Sequence, residues 1–103
     1  MLKEKEAKKI GIRACMDQLG YEYCKGHSDN AISAWGLDEN GKLNCFVGIN
    51  ESPFKQKDLS EVTELILSAK DEWEYYASCD VDLKTGTVSM IESRVPVKTR
   101  AQV

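Results

Sequence analysis

Only one histidine, His27, and two prolines occur among the 103 residues. No apolar run approaches the roughly 18 residues that would span a bilayer, so a membrane helix is not expected. Basic residues are not in excess: 14 Lys and Arg stand against 17 Asp and Glu, for a net charge of −3. Phosphate neutralisation needs clustered Lys and Arg, so nucleic acid is not an expected partner. The four cysteines, Cys15, Cys24, Cys45 and Cys79, include no Cys-x-x-Cys pair. Thioredoxin-like redox chemistry and zinc-ribbon sites thereby lose their usual signature. There is no glycine-rich phosphate loop, no Gly-x-Ser-x-Gly elbow and no His-Glu-x-x-His pair. Neither an enzyme activity nor a cofactor or metal is therefore expected. The opening residues lack the apolar stretch and small-residue cleavage site of an export signal. The expected setting is cytoplasmic, with the cysteines as free thiols.

What is present is the composition of a soluble domain, with 42% hydrophobic and 30% charged residues, which excludes disordered and fibrous classes. The length suits one core. Residues 1–93 read as a single domain, and 94–103 read as a basic, mobile tail with Pro96 and no apolar period. Charge is uneven. Residues 27–93 hold thirteen acidic against five basic side chains, while the tail has Arg94, Lys98 and Arg100 and no acid.

Periodicity sets out the elements. Residues 2–19 read as a helix, with Ile12, Met16 and Leu19 on a stripe widened by Ala7, Ile10, Ala14 and Cys15. Gly11 is a weak point in it, and Gly20 is a natural stop. Tyr21 to Cys24 alternates and reads as a short strand. Residues 25–30 are turn chemistry, and 31–37 form a second strand. Asp38-Glu39-Asn40-Gly41 is a hairpin loop. Leu43, Cys45, Val47 and Ile49 then define the inward face of the next strand. Asp58 and Glu61 fit a capping box, and Val62, Leu65, Ile66, Ala69 and Trp73 recur at helical spacing. Strands over 75–83 and 87–93 flank the turn Lys84-Thr85-Gly86. The fold class is α+β: two layers, helices on one face of an antiparallel sheet, in the order α-β-β-β-α-β-β. The edge strands are expected at 21–25 and 87–93.

Three sets of residues have the right chemistry for a site. Cys24, His27 and Asp29 offer a small-ligand, metal or thiol site, although a second spaced ligand pair is missing. Asp80 and Asp82 share a strand face, where two carboxylates are more often simply solvated than catalytic. Cys15, Cys45 and Cys79 sit on apolar faces and read as core. Trp35, Phe46 and Tyr76 are more informative. Phe46 and Tyr76 are out of phase with the inward positions of their strands. Aromatics on a face turned to solvent are enriched where partners dock.

The stretches Leu19-Gly20-Tyr21-Glu22-Tyr23, Gly36 to Gly41 and Cys45 to Ile49, with the run 59–69 leading into the last hairpin, resemble the small acidic secretion-chaperone fold. The last hairpin, Cys79 to Val88, also resembles the PepSY module. These resemblances concern topology and carry no catalytic residues. The reading is a small non-catalytic interaction domain that binds another polypeptide, with Trp35, Phe46 and Tyr76 as binding residues, or pairs with itself as a two-fold homodimer through a sheet edge or through the aromatic face. The alternative is the site at Cys24, His27 and Asp29. Leu65, Ile66 and Val47 are expected in the core. Leu65→Ala and Ile66→Ala should each cost about 2–5 kcal/mol, read as a lowered denaturant midpoint.

Overall fold

A computed structural model describes residues 1–51 and 73–96. The expected helix over 58–72, with Leu65 and Ile66, and the tail beyond Pro96 lie outside the described residues. Within them the chain forms α1 (Glu4–Leu19), α2 (Tyr21–Gly26), a 3-10 turn (Ser28–Asn30) and four strands. The strands are β1 (Ala31–Leu37), β2 (Lys42–Ile49), β3 (Tyr75–Asp82) and β4 (Val88–Arg94). They make one antiparallel sheet in the order β1-β2-β3-β4, and α1 lies across β2 and β3. The α+β class holds. No helix among the described residues is long and apolar enough to cross a membrane.

The stripe by which α1 meets the sheet is narrower than the apolar periodicity suggests. Its buried residues are Ala7, Gly11, Cys15 and Leu19, spaced by four. Ile12 and Met16 only flank this core, and Ile10 is exposed. Three of the four central positions are small, so the helix backbone sits close to the strands. Gly11 marks the closest approach. A Cβ there would lie 2.3 Å from Cys45 Sγ and 2.9 Å from Val81 Cγ2. The glycine that weakens the helix locally is what lets it pack.

Gly20, with φ of 102°, ends α1, as its position predicts. The chain then turns directly into α2, and the strand expected over 21–24 is a helix. Two dipeptide alternations are too short to separate the two periods. The longer-range signal is helical: Tyr23 stacks on His27 at 4.2 Å, and Lys25 lies over the Tyr21 ring at 5.5 Å, both pairs four residues apart. Packing also favours the helix, because it returns Cys24 beneath α1, where its thiol donates to the Met16 carbonyl at 3.7 Å.

The strands behave as their alternation predicts. Leu43, Cys45, Val47 and Ile49 join Ala77, Cys79 and Val81 in one buried cluster with α1, and Val47 is buried. Both hairpins close as expected. Asp38 accepts from the amides of Asn40 and Lys42 at 2.8 and 3.0 Å, and the Lys42 bond above all holds its carboxyl below the usual range. Gly41 and Gly86 each take φ of 76°, which favours glycine there. The opposite face of the sheet is not bare. Ala34, Phe46, Trp73 and Tyr76 form a second buried cluster there. Trp73 lies so close over Gly48 that a Cβ would meet its ring at 2.6 Å. Arg94, read from sequence as the start of a mobile tail, closes β4 instead. Its guanidinium donates to the carbonyls of Trp73 and Glu74.

The Gly11 contact leads to a direct expectation. Gly11→Ala improves intrinsic helix propensity by up to about 1 kcal/mol. It should nonetheless destabilise the protein by about 1–3 kcal/mol through overpacking. Gly36→Ala meets nothing within 4 Å and serves as the control. Denaturant midpoints of the two variants decide the matter.

Candidate functional site

The three aromatics expected on one docking surface are divided between the two faces of the sheet. Phe46 and Tyr76 stack with ring centroids 5.9 Å apart and are only 4% and 7% exposed. They are core residues of the second cluster, so the exposure expected of them is not found. Trp35 stands opposite Cys45 in the ladder, hence on the α1 face. It remains 41% exposed, with Lys8 Nζ 3.7 Å over its ring and Glu4 and Lys5 beside it.

Around Trp35 the backbone offers an open ladder. Asp38 N donates to Lys42 O, and Asn50 N donates to Asn30 O. With the observed register, in which Ala34 faces Phe46, hydrogen-bonded pairs alternate along the strand. Residues 32, 34 and 36 therefore bond to β2. Residues 31, 33, 35 and 37 point their N–H and C=O groups away from it. Among the described residues no strand pairs with that outer side. The exposed edges are thus β1 and β4, not the 21–25 segment expected from sequence.

The two edges differ in chemistry. β4 contains a β-bulge: Glu92 faces Ser78 but Met90 faces Cys79, leaving Ile91 as the extra residue. It also carries Glu92 and Arg94. Bulges and charges are the usual guards of an edge strand. β1, with the sequence AISAWGL, has no charge, no proline and no register shift.

Because α1 sits over β2 and β3, it leaves a groove above β1. The cavity measures about 220 Å³ and is lined by Ile12, Met16, Cys24, Ala31, Ser33 and Val47, with Lys25 and Ser28 also bordering it. Apolar side chains and an adjacent open strand together suit an extended peptide whose side chains alternate into the groove.

The remaining candidates have structural roles. Cys24 lines the groove, while His27 Nδ1 lies 2.9 Å from the Tyr23 carbonyl. Among the described residues no group of three His, Cys, Asp or Glu could hold a metal ion. Asp80 accepts from the Asn44 amide, and Asp82 accepts from Lys84 N at 2.8 Å to hold the β3–β4 turn. All four cysteines are free and buried. Cys15 and Cys79 are 3.5 Å apart, sulfur to sulfur, and Cys79 donates to the Gly11 carbonyl at 3.3 Å. The hydrogen bond to Cys79, together with burial, holds the Cys15 thiol far above its ordinary value. The open edge itself was missed in the sequence. Its one legible sign was a seven-residue strand with no charged or proline residue.

No protein-family model matches the chain, and no curated protein or solved structure is significantly similar to it.

The thiols allow a test with a defined sign. Burial pushes the Cys24 thiol up from 9.0 to about 11. The folded state therefore favours the neutral form. That contribution is complete below about pH 9 and is lost as pH rises through about 11. Cys24→Ala should flatten this alkaline loss of stability in pH-dependent unfolding curves.

Proposed function

We propose that this protein is a non-catalytic interaction domain that binds a polypeptide along β1. The observation that carries the reading is the uncharged outer side of that strand beside the apolar groove, with Trp35 exposed two residues beyond Ser33 on the same face. Backbone groups of residues 31, 33, 35 and 37 supply affinity without sequence preference. The groove and Trp35 supply selectivity. The carboxylates that offered acid–base chemistry are engaged in turns and in the Asn44 contact, which favours a binding role over a catalytic one. A cytoplasmic setting fits four free, buried thiols, since thiols stay reduced there.

Affinity capture from the native cell, with the captured proteins identified by mass spectrometry, tests the reading. Wild-type protein should recover a reproducible polypeptide or its own chain. Trp35→Lys, with an unchanged far-UV spectrum, should lose it. Recovery of a metal or metabolite with no polypeptide would overturn the proposal in favour of a small-ligand site at the groove and Cys24.

A further inference from the structure

We infer that the polypeptide received by β1 is the β1 strand of a second copy of this chain, paired antiparallel about a two-fold axis at Ala34. The inference rests on the interaction reading above and gives it an occupant and a register.

The backbone limits the registers. Only residues 31, 33, 35 and 37 direct hydrogen-bonding groups outward, so in an antiparallel pair these residues must face one another. Placing Ala34 opposite Ala34 of the second copy puts residue 33 opposite 35 and 31 opposite 37. That register engages all four outward residues on both chains. A shift by two residues either way leaves part of β1 unpaired.

Side chains agree with it. Residues directly opposite in a ladder lie on the same face. Trp35 of each copy therefore stands across from Ser33 of the other, on the α1 side of the sheet. Ser33 borders the apolar groove of about 220 Å³. The 41%-exposed indole is thus brought to the cavity that its own chain cannot fill with it, and the exchange is reciprocal. On the other face the axis passes between two alanines, small enough for the short spacing of a non-hydrogen-bonded pair.

The strand itself raises no charge conflict: residues 31–37 carry none, so no like charges meet along the new ladder. Trp35 is flanked by Lys5 and Lys8 as well as Glu4, so Lys25 at the groove of the other copy gains no charge pairing, and the fit there rests on the indole. The area is modest. The pairing engages one seven-residue strand and one tryptophan from each copy, a small contact compared with the roughly 20–30 residues a side typical of stable interfaces. The dimer therefore forms and dissociates with concentration.

Sedimentation of the full chain tests this. The mass should rise from 11.6 kDa toward twice that between about 10 µM and 1 mM. Ser33→Pro removes an outward donor and leaves the β1–β2 bonds alone, and Trp35→Ala removes the indole. Each should shift the midpoint at least about tenfold, the equivalent of about 1.4 kcal/mol, with an unchanged far-UV spectrum. Under oxidation Ala34→Cys should give a covalent dimer, because paired Cα atoms there would be about 4.5 Å apart. Ser33→Cys should not, since its symmetry mate lies beyond the roughly 7 Å limit for a disulfide. Dimers that persist in both edge variants, or that cross-link through Cys at 33 in preference to 34, would overturn the inference. So would a monomer at every concentration. If that monomer still captured a foreign polypeptide in a Trp35-dependent way, the second copy would be excluded and the interaction reading would stand. With no capture, both would fall.

Discussion

The close seating of α1 on the sheet governs the rest of the molecule. Gly11 has no side chain, and Cys45 and Val81 occupy the space where one would be. Ala7 and Cys15 continue the same line of small residues. With so little between helix and strands, the interface is filled by the sulfur atoms of Cys15, Cys45 and Cys79, which are compact and polarisable. The thiols act as spacers of one size. They also settle their own polarity, since Cys79 donates to the Gly11 carbonyl and Cys15 to Cys79. The same seating decides where the surface opens. A single helix centred on β2 and β3 cannot also cover β1, and the groove beside Ile12 and Met16 is the remainder.

The other face follows a different logic. Phe46 and Tyr76 alternate out of phase with the α1 face, and a sheet covered on one side only would leave them wet. Instead they are buried with Ala34 and Trp73, and Arg94 ties the end of β4 to the backbone at Trp73 and Glu74. With apolar clusters buried on both faces, it is the edges of the sheet that present unpaired strand backbone among the described residues.

Much of this architecture is legible in the residues. The helix over 2–19, its stop at Gly20, both hairpin turns and the inward faces of β2 and β3 follow from periodicity and turn chemistry, because those signals are local. Three things were not legible. Gly11 reads as a defect until the strands beneath it are known. Tyr21 to Cys24 reads as a strand because four residues satisfy either period, and what decides the outcome is the return of Cys24 under α1. Phe46 and Tyr76 read as solvent-facing because phase gives a residue's face but not what lies on it. The site is harder still: Trp35 was identifiable as an aromatic of interest, but its edge depends on strand order, which alternation within a strand does not encode.

The extra residue at Ile91 has a consequence for how far such a protein can assemble. Edge-to-edge contact between copies either closes on itself or runs on without limit. Had β1 of one copy met β4 of the next, every addition would have recreated the same two free ends, and the product would be a filament. The kink at Ile91, with Glu92 and Arg94 beside it, makes β4 a poor template. Under the proposed β1 pairing, a chain with one receptive end and one blunted end would stop growing after a single addition. For the proposed β1 pair, this irregularity in the last strand is the feature that would end growth at two copies.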